Sequence, residues 1–400
     1  MNKSHDLPCG VVIQAAVDWS FLKQRPHHLA SEFAQMGIPV LFIENTGTRV
    51  PGMRDVSRLW ARLRHVLSTT TAAGSGGDSI PEVLSPIALP FPFSLLAHTY
   101  NKAYLLRKIR AFLHRHMLES EQVAMITYMS TPVAVDLVMS LPWYATIYDV
   151  VSDPKYVEPR VAASEHRLLS DCDLVLFASD ALRQSYGLSG NRFRTVRDGF
   201  STWLLDEKGA PTDYLQETPS PRFVYLGGLN SKVWAEALEQ IAEAFPDASI
   251  LLMGPSAPAF RVPRGRNISV LPPQPDYVGL AGVLRLADVA LIPYVPSAFV
   301  SPMYPAKVNE YLVFGLPIVA TNMPELAQLA GEIGPRSIYL AENSGEFPSA
   351  VARALNEDSP EERQRRMSYA RKRPWTARAS GLLRMMTECS SLKASGRKVQ

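Results

Sequence analysis

Lys307 and Glu310 stand three residues apart in the run PAKVNEYLVFGLPIVAT, residues 305–321. In a helix that spacing puts a cation and a carboxylate on one face, within the first two turns. Pro305 suits a first helical position and Gly315 a C-terminal cap, so a helix is predicted over 305–314 and a strand over 316–321. The strand before it ends in IPY and runs into a Ser- and Pro-rich loop that holds Ser301. A helix start approached by such a loop favours an anion, because its free N–H groups and the helix dipole both attract negative charge. Lys307 would add a full positive charge, and Glu310 could accept hydrogen bonds from the two hydroxyls of a ribose. The plainer alternative is a surface ion pair between the two, which is worth little.

The elements that must position these residues alternate along the chain. Apolar, β-branched runs read as strands at 10–17, 39–45, 123–129, 144–150, 174–179 and 193–199, and again at 222–228, 249–255, 267–271, 288–294 and 316–321. A helix fits between the first two, with Pro26 at its start, Leu29, Phe33 and Met36 at helical spacing, and Gly37 at its end. Another helix is predicted over about 232–245. Strand–helix–strand units of this kind build parallel sheets. A chain of 400 residues exceeds one typical core, so two Rossmann-like domains facing each other across a ligand cleft are expected. The boundaries read as 1–203, 204–359 and a C-terminal helix with tail at 360–400, packing back on the first domain.

Bulk properties exclude several classes. With 46% apolar and 20% charged residues the chain is an ordinary folded protein. A net charge of +3 is too mild to argue for nucleic acid. Cys9, Cys172 and Cys389 are odd in number and far apart, which fits free thiols in a reducing compartment and no metal cluster. The opening residues lack the apolar core of a signal peptide, and no run is long enough to span a membrane, so a cytoplasmic protein is expected. Asp171-Cys172-Asp173 spells a DxD, but it ends a helix and precedes a strand, so a cap or solvated turn is the expected role.

The run LADVALIPY followed by PAKVNEYLVFGLPIVAT resembles the donor-site signature of GT-B glycosyltransferases, in the broad family 4 group of retaining enzymes. DWSFLKQRPHHLASEFAQMG with VLFIEN resembles the opening of the teichuronic-acid-type branch. Further matches are TIYDVVSD, SEHRLLSDCDLVLFASDAL, FVYLGGL, MGP and RPWTARA, so the resemblance covers about residues 10–385.

The resemblance implies an α/β fold of two Rossmann-like domains that moves a sugar from a nucleotide-diphosphate sugar to a saccharide or lipid-linked saccharide hydroxyl, with retention, in cell-surface polysaccharide synthesis. It gives Glu310 the ribose, Lys307 the diphosphate, and Gly227 and Gly228 the turn where backbone approaches the donor. Lys232 is the basic residue nearest that turn, and Pro302 stands where the family has a first Glu. In the N-terminal half Arg25 and His28 fall on the acceptor-facing rim, with capping or packing as the other role for His28. Trp19 either stacks on a sugar or packs. Asp149 and Asp153 follow a strand, and Asp149 is the candidate catalytic carboxylate; ordinary turn chemistry is the alternative for both.

No cofactor and no metal are expected beyond the nucleotide-sugar substrate. Two basic stretches, 54–65 and 102–115, interleave cations with Leu, Tyr and Phe, which fits either a solvated face or contact with an anionic membrane. Two alternative readings share the same fold: a nucleotide-sugar epimerase or phosphorylase, and a non-catalytic partner subunit.

Overall fold

The structure, a computed structural model, describes residues 7–46, 80–89, 91–156, 158–205, 218–273 and 277–394. The chain divides into two compact units. The first comprises Met1–Ala178, Tyr186–Val196 and Arg378–Gln400, and the second Ser179–Ser185 with Arg197–Ala377. These cuts differ from the expected 1–203, 204–359 and 360–400. Helix Pro360–Arg371 belongs to the second unit, where buried Arg366 donates to the carbonyls of Gly315 and Arg336 and pairs with Asp358. Residues from Arg378 onward belong to the first unit, where Thr387 meets the Tyr144 hydroxyl and Lys393 pairs with Asp173.

The first unit is a seven-stranded sheet of β1 (Gly10–Gln14), β2 (Val40–Ile43), β3 (Glu82–Leu84), β4 (Val123–Thr127), β5 (Ala145–Val150), β6 (Leu174–Phe177) and β7 (Phe193–Thr195), in the order β3-β2-β1-β4-β5-β6-β7. The second is a six-stranded sheet of β8 (Arg222–Leu226), β9 (Ser249–Met253), β10 (Ile268–Leu271), β11 (Val289–Ile292), β12 (Ile318–Thr321) and β13 (Ile338–Ala341), in the order β10-β9-β8-β11-β12-β13. Every pairing is parallel. The inner strands are continuous apolar runs rather than alternating ones, because a parallel sheet covered by helices is buried on both faces. Each unit is thus α/β and Rossmann-like.

Two strands escape the sequence pattern. β3 has three residues, EVL, on the outer edge and partly exposed, so it carries no periodic signal. β13 is the four-residue run IYLA at the opposite edge of the second sheet.

Two helices start later than expected. The one predicted over 305–314 is Lys307–Val313, because the amides of Val308 and Asn309 bond back three residues to Pro305 and Ala306, closing a tighter turn first. The one predicted from 232 begins at Ala235, because residues 232–234 are held by the end of β11: Trp234 N–H donates to Pro293 and Val295 N–H to Lys232. Gly315 does terminate its helix, with φ of 74° and the Leu316 amide bonding back to Tyr311.

Candidate functional site

The second sheet reverses its strand order between β8 and β11. Loops leaving two such neighbours run to opposite sides, which opens a crevice at the carboxyl ends of the strands. β8 delivers Gly227 and Gly228 to that end, and β11 delivers Tyr294 and the loop leading to Lys307. Gly227 has φ of 123° and Gly254, after β9, has φ of 152°. A Cβ on Gly254 would lie 2.0 Å from the Gly227 carbonyl oxygen, and one on Gly227 would lie 2.9 Å from Lys307 Nζ. The backbone conformation favours glycine at both positions, and at Gly254 the approach of the Gly227 carbonyl also leaves no room for a side chain.

Lys307 is half-buried, and its ammonium meets aromatic faces: Nζ lies 3.8 Å from the centre of the Tyr225 ring and 5.1 Å from that of Tyr294. Among the described residues it makes no ion pair with Glu310, so the plain surface-pair alternative does not hold. Burial pulls the Lys307 ammonium down to about 7, opposed by the Glu310 charge and assisted by Lys232. Burial likewise lifts Glu310 to about 7, opposed by Lys307 and assisted by Asp198. Both groups therefore change charge near neutral pH, as a coupled pair.

The surroundings fix this helix firmly. The Tyr311 hydroxyl oxygen accepts the Leu226 amide at 2.8 Å, and Asn309 donates to the Asp198 carbonyl while accepting from Tyr304. Gly228 offers its carbonyl to Tyr225 and Asn230. Lys232 is near enough for its charge to act on Lys307, but its ammonium lies 5.6 Å from the Phe299 ring. Ser301 is exposed, and its amide donates to Ser297 in a turn. Of the six donor-side residues picked from sequence, Gly227, Lys307 and Glu310 come together with Lys232 behind them; Gly228 shapes the turn, and Ser301 stands on the exposed loop. Tyr225, Tyr294 and Tyr311 were missed; no local pattern distinguishes them from core residues.

In the first unit the order reverses between β1 and β4. A cavity of about 200 Å³ opens past the ends of β1, β4 and β5, lined among others by Ala16, Tyr128, Ser130, Tyr148, Asp149 and Ser152. Asp149 is not the open carboxylate that the sequence suggested. It is 1% exposed, and its Oδ2 accepts from Arg25 Nε at 2.7 Å. Arg25 is itself buried and donates also to the Val196 carbonyl at 2.6 Å, so it is the counter-ion of Asp149 rather than a rim residue. Asp149 Oδ1 is buried with no hydrogen-bond partner among the described residues.

His28 is half-buried, and burial together with His27 and Lys23 pushes it down to about 3, so it is neutral at physiological pH. That value makes it a poor proton acceptor. His27 is structural: its Nδ1 accepts the Gln24 amide and its ring stacks on Phe42. Trp19 packs edge-on against Phe42, with Lys23 over its face. Asp153 closes a turn with Lys155. In the DxD, Asp173 accepts from the amide and hydroxyl of Thr146, and Asp171 ends a helix, so those carboxylates hold structure.

Residues 220–357 match the family described as Glycosyl transferases group 1. Over 230 residues the chain is 24% identical to a Bacillus subtilis (strain 168) protein named for teichuronic acid biosynthesis, glycosyltransferase TuaH; the match covers 54% of this chain and 57% of that protein. Sucrose-phosphate synthase from Thermosynechococcus elongatus superimposes with a TM-score of 0.66 at 14% identity, over 96% of this chain and 99% of that one. Anabaena HepE in complex with UDP and glucose superimposes with a TM-score of 0.65 at 10% identity, over 96% and 100%. An E. coli trehalose-6-phosphate protein bound with UDP-2-fluoro glucose reaches 0.61 at 11% identity, over 94% and 98%. At such identities the structural likeness is one of fold: the chain has the GT-B fold of glycosyltransferases, and its second unit carries the group 1 family match.

Proposed function

We propose that this chain is a glycosyltransferase that moves a sugar from a nucleoside-diphosphate sugar to a saccharide or lipid-linked saccharide hydroxyl, with retention, in the synthesis of a cell-surface polysaccharide. One observation carries the reading: a half-buried lysine, held on aromatic faces beside a two-glycine turn, stands at the strand-order reversal of the unit that matches the glycosyl transferase family. The similar proteins support it: HepE is in complex with UDP and glucose, the E. coli protein is bound with UDP-2-fluoro glucose, and TuaH is named for teichuronic acid biosynthesis.

In the reaction the bond from the anomeric carbon to the diphosphate oxygen breaks, a bond from that carbon to the acceptor oxygen forms, and the proton of the acceptor hydroxyl leaves on the departing diphosphate. Lys307 neutralises charge developing on the leaving diphosphate. Ionised Glu310 accepts from the ribose. Within the first unit, Arg25 orients Asp149, and Asp149 Oδ1 is the candidate partner for an acceptor hydroxyl in the cavity there. The transfer uses no metal, the cations at the diphosphate being lysines.

The test is a thermal-shift screen of the full chain against UDP-, GDP-, ADP- and dTDP-sugars, since a bound donor raises apparent stability. It is followed by transfer assays on purified Lys307→Ala and Glu310→Ala, with and without a chelator. Donor turnover without an acceptor would turn the reading to epimerisation or phosphorolysis. Near-normal transfer by both variants would sink the site.

The helix Leu95–Arg115 supports a further element of this reading, contact with an anionic membrane surface that carries the acceptor. Its 21 residues contain no acid. Leu95 and Leu96 at its start are 78% and 82% exposed, and Arg107, Lys108 and Arg110 are exposed along its length. Sedimentation with phosphatidylglycerol vesicles, but not with phosphatidylcholine vesicles, is expected at low salt; equal failure with both would refute it. The other basic stretch, 54–65, lies outside the described residues.

A further inference from the structure

The glycine turn and the lysine are not independent, because one side chain touches both. Tyr225, the fourth residue of β8, is 1% exposed. Its ring face receives the Lys307 ammonium at 3.8 Å, and its hydroxyl donates to the Gly228 carbonyl at 3.2 Å. The amide of the next residue, Leu226, is taken by the Tyr311 hydroxyl of the helix that bears Lys307. Tyr294, from the far side of the strand-order reversal, lies edge-on to Tyr225 and 5.1 Å from the same ammonium.

We propose that Tyr225 is a positioning residue that couples Lys307 to the Gly227–Gly228 turn, so that a nucleoside diphosphate meets the cation and the turn backbone in one fixed geometry. The proposal rests on the reading that Lys307 receives the diphosphate.

Packing alone does not require this arrangement. A phenylalanine would fill the same volume at the end of a strand, yet the residue here makes two polar contacts that a phenylalanine or leucine would each lose in part or whole. The ring contact also has a chemical consequence. A desolvated ammonium loses its water hydrogen bonds, and a ring face restores only part of that stabilisation. Its N–H groups stay poorly satisfied until an anion arrives, which is why the lysine is easily deprotonated without one. Binding of a diphosphate then draws a proton onto Lys307. The turn must stay in place for this, since any Cβ at Gly227 would push into the Lys307 ammonium.

The experiment is a calorimetric titration of the full chain with UDP, GDP and ADP, continued with whichever binds. Wild type, Tyr225→Phe, Tyr225→Leu, Lys307→Ala and the Tyr225→Leu/Lys307→Ala double variant are compared at pH about 6, 7 and 8.5. Two buffers of different ionisation enthalpy count the protons taken up. Tyr225→Leu is expected to weaken binding about tenfold at neutral pH and to abolish proton uptake. Tyr225→Phe keeps the ring, so it should lose about fivefold, with Asn230 left as the one donor to the Gly228 carbonyl among the described residues, and keep the uptake. In the Lys307→Ala background Tyr225→Leu should cost only what the lost hydroxyl costs, about fivefold at most, because the ring then has no ammonium to hold.

An equal loss from Tyr225→Leu in both backgrounds, or none in either, overturns the coupling. If Tyr225→Leu does not fold, Tyr225→Phe decides alone: wild-type affinity would overturn the role of the hydroxyl. Wild type that binds no nucleotide, or Lys307→Ala that binds normally, rejects instead the diphosphate reading beneath the proposal.

Discussion

Each unit keeps a charged side chain at the carboxyl end of its parallel sheet, and the two are accommodated in opposite ways. Asp149 is buried and met by the Arg25 guanidinium at 2.7 Å. Lys307 is met by the rings of Tyr225 and Tyr294. An ion pair cancels its own charge, so the cavity of the first unit needs no ionic ligand and suits a neutral hydroxyl at the free Asp149 oxygen. A ring face leaves the ammonium charge uncancelled, so the crevice of the second unit suits an anion. The same difference separates what each site costs the protein. A buried pair is strongly held as long as both partners remain, whereas a desolvated lysine is a standing cost that an anionic ligand relieves.

The largest expected effect tests the first half of that contrast. Arg25→Ala leaves Asp149 buried without its partner and should lower the unfolding free energy by about 3–5 kcal/mol in denaturant titration. Asp149→Asn introduced alongside it should recover part of the loss. Lys307→Ala should behave oppositely, with stability kept or slightly raised while kcat/KM for the donor falls by about 2–5 kcal/mol of transition-state binding, or upwards of about thirtyfold. If both variants lost stability alike, the two sites would not differ as described.

Smaller is the effect of a methyl group on the glycine turn. Gly227→Ala is expected to cost about 1–3 kcal/mol from its backbone conformation, and to displace Lys307 as well. Gly228→Ala meets only the Asn230 amide nitrogen, at 3.4 Å, so it should stay within about 0.5 kcal/mol of wild type by thermal unfolding.

The finest test is pH. Donor binding needs Glu310 ionised and Lys307 protonated, and both titrate near 7. Donor kcat/KM should therefore be a narrow bell centred near neutral pH. Glu310→Gln should remove its acid limb and Lys307→Met its alkaline limb. Stability moves by a separate rule. The Lys307 value in the folded chain lies below its ordinary 10.5, so the unfolded chain binds the extra proton between about 7 and 10.5. Stability from this group thus rises with pH across that window and is lost as pH falls to 7. A Lys307→Met variant should show a flatter stability curve there.

Much of the fold was legible because its signals are local. Apolar runs with Gly and Pro punctuation marked the strands of the inner sheets, Pro26 and Gly37 bracketed their helix, and Gly315 ended the helix that bears Glu310. Legibility failed where the deciding neighbour is distant. Arg25 and Asp149 are 124 residues apart, and only the β1-β4-β5 order brings the helix after β1 beside the end of β5. His28 was placed on the acceptor-facing rim, and burial beside His27 and Lys23 makes it a weak base instead. Lys232 looked helical until the end of β11 claimed its carbonyl.

From residue types and spacing alone, two α/β halves and a Lys–Glu corner at residues 307–310 were determined, since period and cap depend on neighbours a few positions away; the glycine turn at 227–228 came from the family resemblance. Tertiary structure alone decided which charges are cancelled. A carboxylate or ammonium takes its protonation and its availability from every group packed around it, and here those groups come from strands and helices far apart in the chain. Sequence placed Lys307 and Asp149; the folded neighbours made one a waiting cation and the other half of a closed pair.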